Sequence, residues 1–67
     1  MFNLVKGYRC ALGITQKSMA KEIGVSINTY ADKENGKQDF TRKEMQKYIS
    51  ILEENGIKIE LSKIFYP

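Results

Sequence analysis

Asn28 has the most specific chemistry to offer. Its side-chain amide sets a donor beside an acceptor, the pair that can bond N6 and N7 of an adenine together. Helical spacing places Ile27, Asn28, Ala31, Asp32 and Asn35 on one exposed face. That face is short and mostly free of the Lys and Glu that an ordinary solvated face favours, which suits close contact with base edges. Ile27 and Ala31 could pack on thymine methyls, and Ser26, at the helix start, can reach a phosphate or a base. Asp32 has two readings: it can accept from cytosine's amine, or it can repel phosphates and exclude wrong sites. For each of these residues the plain alternative is an ordinary polar or small surface side chain.

Catalytic chemistry is poorly supplied. The chain has no histidine, so acid–base work at neutral pH and imidazole metal ligation lack their commonest agent. Cys10 is the one cysteine, and no activating base accompanies it; it reads as a small core or boundary residue. Glu53 and Glu54 are adjacent and diverge on a helix, which argues against a carboxylate pair. No glycine-rich phosphate loop follows a strand. The expectation is a protein that is not an enzyme, with no cofactor, no metal and no small-molecule ligand.

The elements that must position Asn28 run from Thr15 to Gly36. Thr15 is a good N-cap, with Ile14 and Met19 placed as a hydrophobic staple. Met19, Ala20 and Ile23 then share a helical face, and Gly24 stops the helix in a left-handed conformation. Ser26 caps the next helix, Tyr30 faces its core side, and Asn35-Gly36 closes it. The second helix is thus expected over about Gln16 to Ile23 and the third over about Ile27 to Glu34. So short a link requires a steep crossing and small residues at the contact, which Ala20 and Gly24 supply; the pair is a helix-turn-helix.

Around this unit, residues 2–12 read as a first helix with Leu4, Val5, Tyr8 and Leu12 on its apolar face and Arg9 beside it. Thr41 and Glu44 form a capping box for a fourth helix, with Phe40 and Met45 in staple positions and Met45, Tyr48, Ile49 and Leu52 as its stripe. Asn55-Gly56 ends it. Ile57-Lys58-Ile59 alternates like a strand but is too short to assign, and Leu61, Ile64 and Phe65 predict a last helical turn. Lys33 is expected to lay its stem over the core and lift its ammonium to water.

At 67 residues and 42% hydrophobic content, the chain has room for a single small all-α domain, residues 1–67, a compact bundle of about five short helices. A lone cysteine allows no internal disulfide and fits a reducing cytoplasm. No apolar run approaches bilayer length, and Lys6 and Arg9 interrupt any signal-peptide pattern, so no membrane association is expected. The net charge of +3 permits nucleic acid without requiring it. Its distribution says more: Lys6, Arg9, Lys17 and Lys21 precede the third helix, and Lys37, Arg42, Lys43 and Lys47 follow it. A solvated mixed surface is the bland account of the same charges.

Several spaced residues carry a resemblance to the helix-turn-helix of the Cro and phage-repressor, or XRE, family, with its lambda-repressor-like fold. They are Thr15-Gln16, Ala20, Ile23-Gly24-Val25-Ser26 and Glu34-Asn35-Gly36-Lys37, with Arg9 and Leu12-Gly13-Ile14 upstream and Leu61 to Phe65 downstream. Lys33, where the family is usually apolar, and Phe40, where proline is common, depart from it. The resemblance implies that Gln16 touches the DNA backbone and braces the reading helix, and that Asn35 and Lys37 belong to a backbone-contacting loop. It also implies an ion pair between Arg9 and Glu34; the alternative for Arg9 is an exposed side chain on a phosphate. Lys17 and Thr29 complete the expected DNA-binding set of Gln16, Lys17, Ser26, Ile27, Asn28, Thr29, Ala31, Asp32, Asn35 and Lys37, and Arg42 and Lys43 could extend it.

The implied function is a sequence-specific, Cro- or repressor-like transcriptional regulator of a bacterial cell or phage. It would be cytoplasmic and nucleoid-associated, inserting its third helix into the major groove of a double-stranded operator and excluding polymerase. An antitoxin- or excisionase-like DNA binder is the alternative within the fold, and a protein-interaction module the alternative outside DNA binding. The resemblance also points to a two-fold dimer on a pseudo-palindrome, with half-sites about 10–10.5 bp apart. The apolar tail Ile57, Ile59, Leu61, Ile64, Phe65 and Tyr66 is the expected contact of a weak dimer that the operator strengthens; otherwise it only closes the core.

Overall fold

The computed structural model describes residues 3–66 and contains five helices: α1 (Leu4–Ala11), α2 (Gln16–Ile23), α3 (Ile27–Glu34), α4 (Arg42–Glu54) and α5 (Leu61–Phe65). Each of the first four starts at a side chain that takes up an amide the helix leaves open. Asn3 accepts from the Lys6 amide, Thr15 from Ser18, Ser26 from Thr29 and Thr41 from Glu44, at 3.0–3.2 Å. The Glu44 carboxylate in turn accepts from the Thr41 amide at 2.9 Å, completing the capping box.

Met19, Tyr30, Tyr48 and Leu52 are wholly enclosed, and Val5, Ala20, Ile23 and Ile64 complete the core around them. α2 packs chiefly on α3 and then on α4, while α5 lies against α1 and α4. The Tyr48 hydroxyl donates to the Val5 carbonyl, tying α4 to α1. Phe40 sits edge-on between Tyr30 at 6.1 Å and Phe65 at 5.2 Å, and Phe65 meets Tyr48 at 5.5 Å. An aromatic at position 40 therefore connects the start of α4 to both α3 and α5.

Several expectations change. α1 ends at Ala11 with Leu12 as its cap residue, and the expected start at residue 2 lies outside the described residues. Cys10 is exposed rather than core or boundary, because helical spacing turns Val5 and Arg9 inward and Cys10 out. Ile49 is only half-buried in the α4 stripe. Ile57 and Ile59 form no strand and pack partly buried against the core.

Gly24 is needed for a different reason than close approach. A Cβ there would meet nothing nearer than the Lys47 ammonium at 3.8 Å, but its φ of +93° is one that L side chains rarely adopt. Ala20, 2% exposed, is the small residue that the packing requires. Ala20→Leu should cost about 1–3 kcal/mol by overpacking, which for a fold of this size lowers the Tm by roughly 4–8 °C per kcal/mol. A thermal melt matching the parent would show slack around α2 that the burial denies.

Candidate nucleic-acid interface

α3 has two unlike faces. Its inner side carries Tyr30, which is fully buried, and Glu34, 4% exposed. Outward, Ile27 stands 46% exposed, Asn28 and Asn35 are exposed, and Ala31 and Asp32 are half-buried. Of the five residues expected on one exposed face, three are exposed, while Ala31 and Asp32 are partly covered. Ser26 is less free than its position implied. Its hydroxyl accepts the Thr29 amide and donates to the Thr29 hydroxyl at 2.9 Å. In that arrangement the half-buried Thr29 keeps the hydroxyl proton still available to an outside acceptor.

The exit from α3 is rigidly specified. The Lys37 amide donates to the Asp32 carbonyl at 2.8 Å and the Gly36 amide to that of Lys33 at 3.2 Å, a Schellman arrangement with Gly36 at φ +83°. Lys37, just past the helix end, and Asn35, its cap residue, are both exposed. Lys17, Arg42 and Lys43 are exposed as well.

Behind α3 lies a polar network that holds it to α1 and α2. Arg9 grips the Glu34 carboxylate with two bonds, Nε to Oε2 at 2.7 Å and Nη2 to Oε1 at 3.0 Å. Its third nitrogen donates to the Ile14 carbonyl at 2.7 Å, where α1 gives way to α2. Arg9 is therefore paired and buried, not an exposed phosphate ligand. The Gln16 amide donates to Glu34 Oε1 at 3.2 Å, so Gln16 does brace α3 from the start of α2. Among the described residues its amide nitrogen makes only this one bond, leaving its second hydrogen for an outside acceptor. The Asn3 side chain donates to the Glu34 backbone carbonyl at 2.8 Å, a tether missed from sequence although Asn3 preceding an apolar stripe is an N-cap signature.

Burial pushes the Glu34 carboxyl up, but the Arg9 guanidinium, then the nearby Tyr30 hydroxyl and the Gln16 amide, outweigh it and hold the carboxyl below the usual carboxylate range. The Tyr30 hydroxyl lies close to this carboxylate, yet among the described residues it has no partner at hydrogen-bonding geometry. Burial, and then the nearby Glu34, push its ionisation well above the ordinary tyrosine value.

Lys33 departs from expectation. Its ammonium is not lifted to water: it donates to Glu44 at the start of α4, and its side chain is only 9% exposed. The reason is that α4 brings a carboxylate within reach, so the ammonium gains a charged partner where α3 and α4 meet. About one turn further along α4, the Lys47 ammonium lies 3.4 Å from the Ile23 carbonyl, at the carbonyl-rich end of α2.

No helix among the described residues is long and apolar enough to cross a membrane. No curated protein and no solved structure matches the chain significantly. A family model described as Helix-turn-helix matches residues 5–56, a span that takes in nearly all of α1, the whole of α2 to α4, and leaves α5 outside. The chain belongs to this helix-turn-helix family, the XRE type of DNA-binding regulators that the Cro and phage repressors represent.

Proposed function

We propose that this chain is a sequence-specific transcriptional regulator that lays α3 in the major groove of a double-stranded operator. The observation that carries this reading is the division of α3: a buried network anchors one side, while Ile27, Asn28 and Asn35 stand out on the other with short side chains. Anchoring matters because base readout needs side chains held in fixed register with the groove. Asn28 is the base reader. Ile27 and Ala31 supply apolar contact, Asp32 accepts from a base or excludes wrong ones, and Thr29 joins Ser26 at the helix start. Gln16, Lys17, Asn35 and Lys37 hold phosphates.

A single α3 covers too few base pairs for useful specificity, so two copies occupy a pseudo-palindromic site. Most of the apolar tail is spent inside the monomer, with Ile64 4% exposed and Phe65 set against Phe40 and Tyr48; Tyr66 is left 63% exposed. Pairing is accordingly weak without DNA, and the operator supplies most of it.

Selection of bound sites from a random duplex pool, followed by competition across single-base variants, tests the proposal. Asn28→Ala should relax preference at one base pair by about 1–3 kcal/mol. Lys37→Ala should weaken every duplex about equally and flatten the salt slope by roughly one unit. Equal loss on all variants for Asn28→Ala would remove it from the reading face. One protein per duplex at saturation, on an asymmetric site, would overturn the paired arrangement.

A further inference from the structure

Lys33 lies in the last turn of α3 and Glu44 in the first turn of α4. One oxygen, Glu44 Oε1, takes both the Thr41 amide at 2.9 Å and the Lys33 ammonium. Both side chains are largely shielded, at 9% and 14% exposure. The same atom thus caps α4 and tethers α3, closing the loop of residues 35–41 at its base. On that loop and just beyond it stand Asn35, Lys37, Arg42 and Lys43, all exposed.

An apolar residue at position 33 would fill the space equally well, but its contact has no preferred direction. A charge-assisted hydrogen bond fixes distance and angle. A shielded pair of this kind adds little net stability, because desolvating both charges offsets their attraction. Its consequence is geometric. We infer that Lys33 and Glu44 form a positioning pair, which sets the orientation of the phosphate-holding loop and of the α4 start relative to the reading helix α3. Neither residue touches DNA itself; both act through Lys37, Arg42 and Lys43. The inference rests on the DNA-binding reading above.

Glu44→Gln separates geometry from charge. Glutamine keeps an oxygen for the Thr41 amide, removes the ion pair and raises the net charge from +3 to +4. Charge alone would tighten binding to a polyanion. Loss of positioning should instead weaken it about fivefold on every duplex, with a flatter salt slope. Lys33→Arg, which retains the pair, should bind within about twofold of the parent, and Lys33→Met, which loses both the pair and one positive charge, should weaken at least as much as Glu44→Gln. In free protein, amide exchange in residues 36–41 should quicken about tenfold in Glu44→Gln and stay unchanged in α2.

Circular dichroism at the assay temperature establishes that each variant is folded. A folded Glu44→Gln that binds as tightly as the parent, or more tightly, overturns the positioning role. If Glu44→Gln does not fold, equal affinities of Lys33→Arg and Lys33→Met overturn it instead. A parent that selects no duplex overturns the DNA-binding reading as a whole, whereas a parent that binds beside an unimpaired Glu44→Gln overturns the pair's role alone.

Discussion

Glu34→Gln should destabilise the fold by about 3–5 kcal/mol, the usual cost of leaving one member of a buried ion pair without its partner. Arg9 is 8% exposed and gives two of its bonds to that carboxylate, so the neutral amide leaves a guanidinium uncompensated in the core. A surface pair would contribute only about 0–1 kcal/mol. At roughly 4–8 °C per kcal/mol for a fold of this size, the Tm should fall by about 12–40 °C. The double variant Arg9→Met, Glu34→Met should recover most of the loss, since an apolar pair of similar volume replaces a buried salt bridge at little net cost. Urea melts of the parent, Glu34→Gln and the double variant supply the measurement. A Glu34→Gln change within about 1 kcal/mol would place the pair effectively in solvent.

The same carboxyl makes the fold acid-sensitive. Its proton is held less tightly in the folded chain than in the unfolded one, so its stabilisation is complete above the ordinary value of 4.5. It drains away as pH falls from there through the lower folded value. Glu44 adds to the same limb: burial pushes its carboxyl up, and Lys33 with the Thr41 amide outweighs that and lowers it. Stability of Glu34→Gln should therefore depend less on pH below about 4.5 than that of the parent.

Ile64→Ala should cost about 2–5 kcal/mol, as deletion of a buried aliphatic side chain does. α5 has five residues, too few for a helix to persist in water on its own account. What keeps it in place is Ile64, 4% exposed, and Phe65 against Phe40 and Tyr48. The melt should shift equally at low and high protein concentration, because the lost contact lies within one chain. An unchanged melt, or a shift that appears only where copies associate, would move Ile64 from the core to an interface between copies.

Chain-local chemistry decided how this protein divides into helices. Thr15, Ser26 and Thr41 cap, and Gly24 and Gly36 stop, through bonds that reach only a few residues, so the limits of α2, α3 and α4 follow from neighbours in the chain. The outward face of α3 was legible for the same reason: 3.6-residue spacing separates Asn28 from Tyr30 whatever α3 packs against. Tertiary structure alone decided where long polar side chains end and what the tail does. Asn3 and Gln16 reach Glu34 across 31 and 18 residues, and Lys33 reaches Glu44 across eleven. A flexible, charged tip can go to water or to a partner, and only the approach of a second helix selects between them. Ile64 and Phe65 were undecided between core and interface on the same ground, since apolarity states that a surface will be covered and not what covers it.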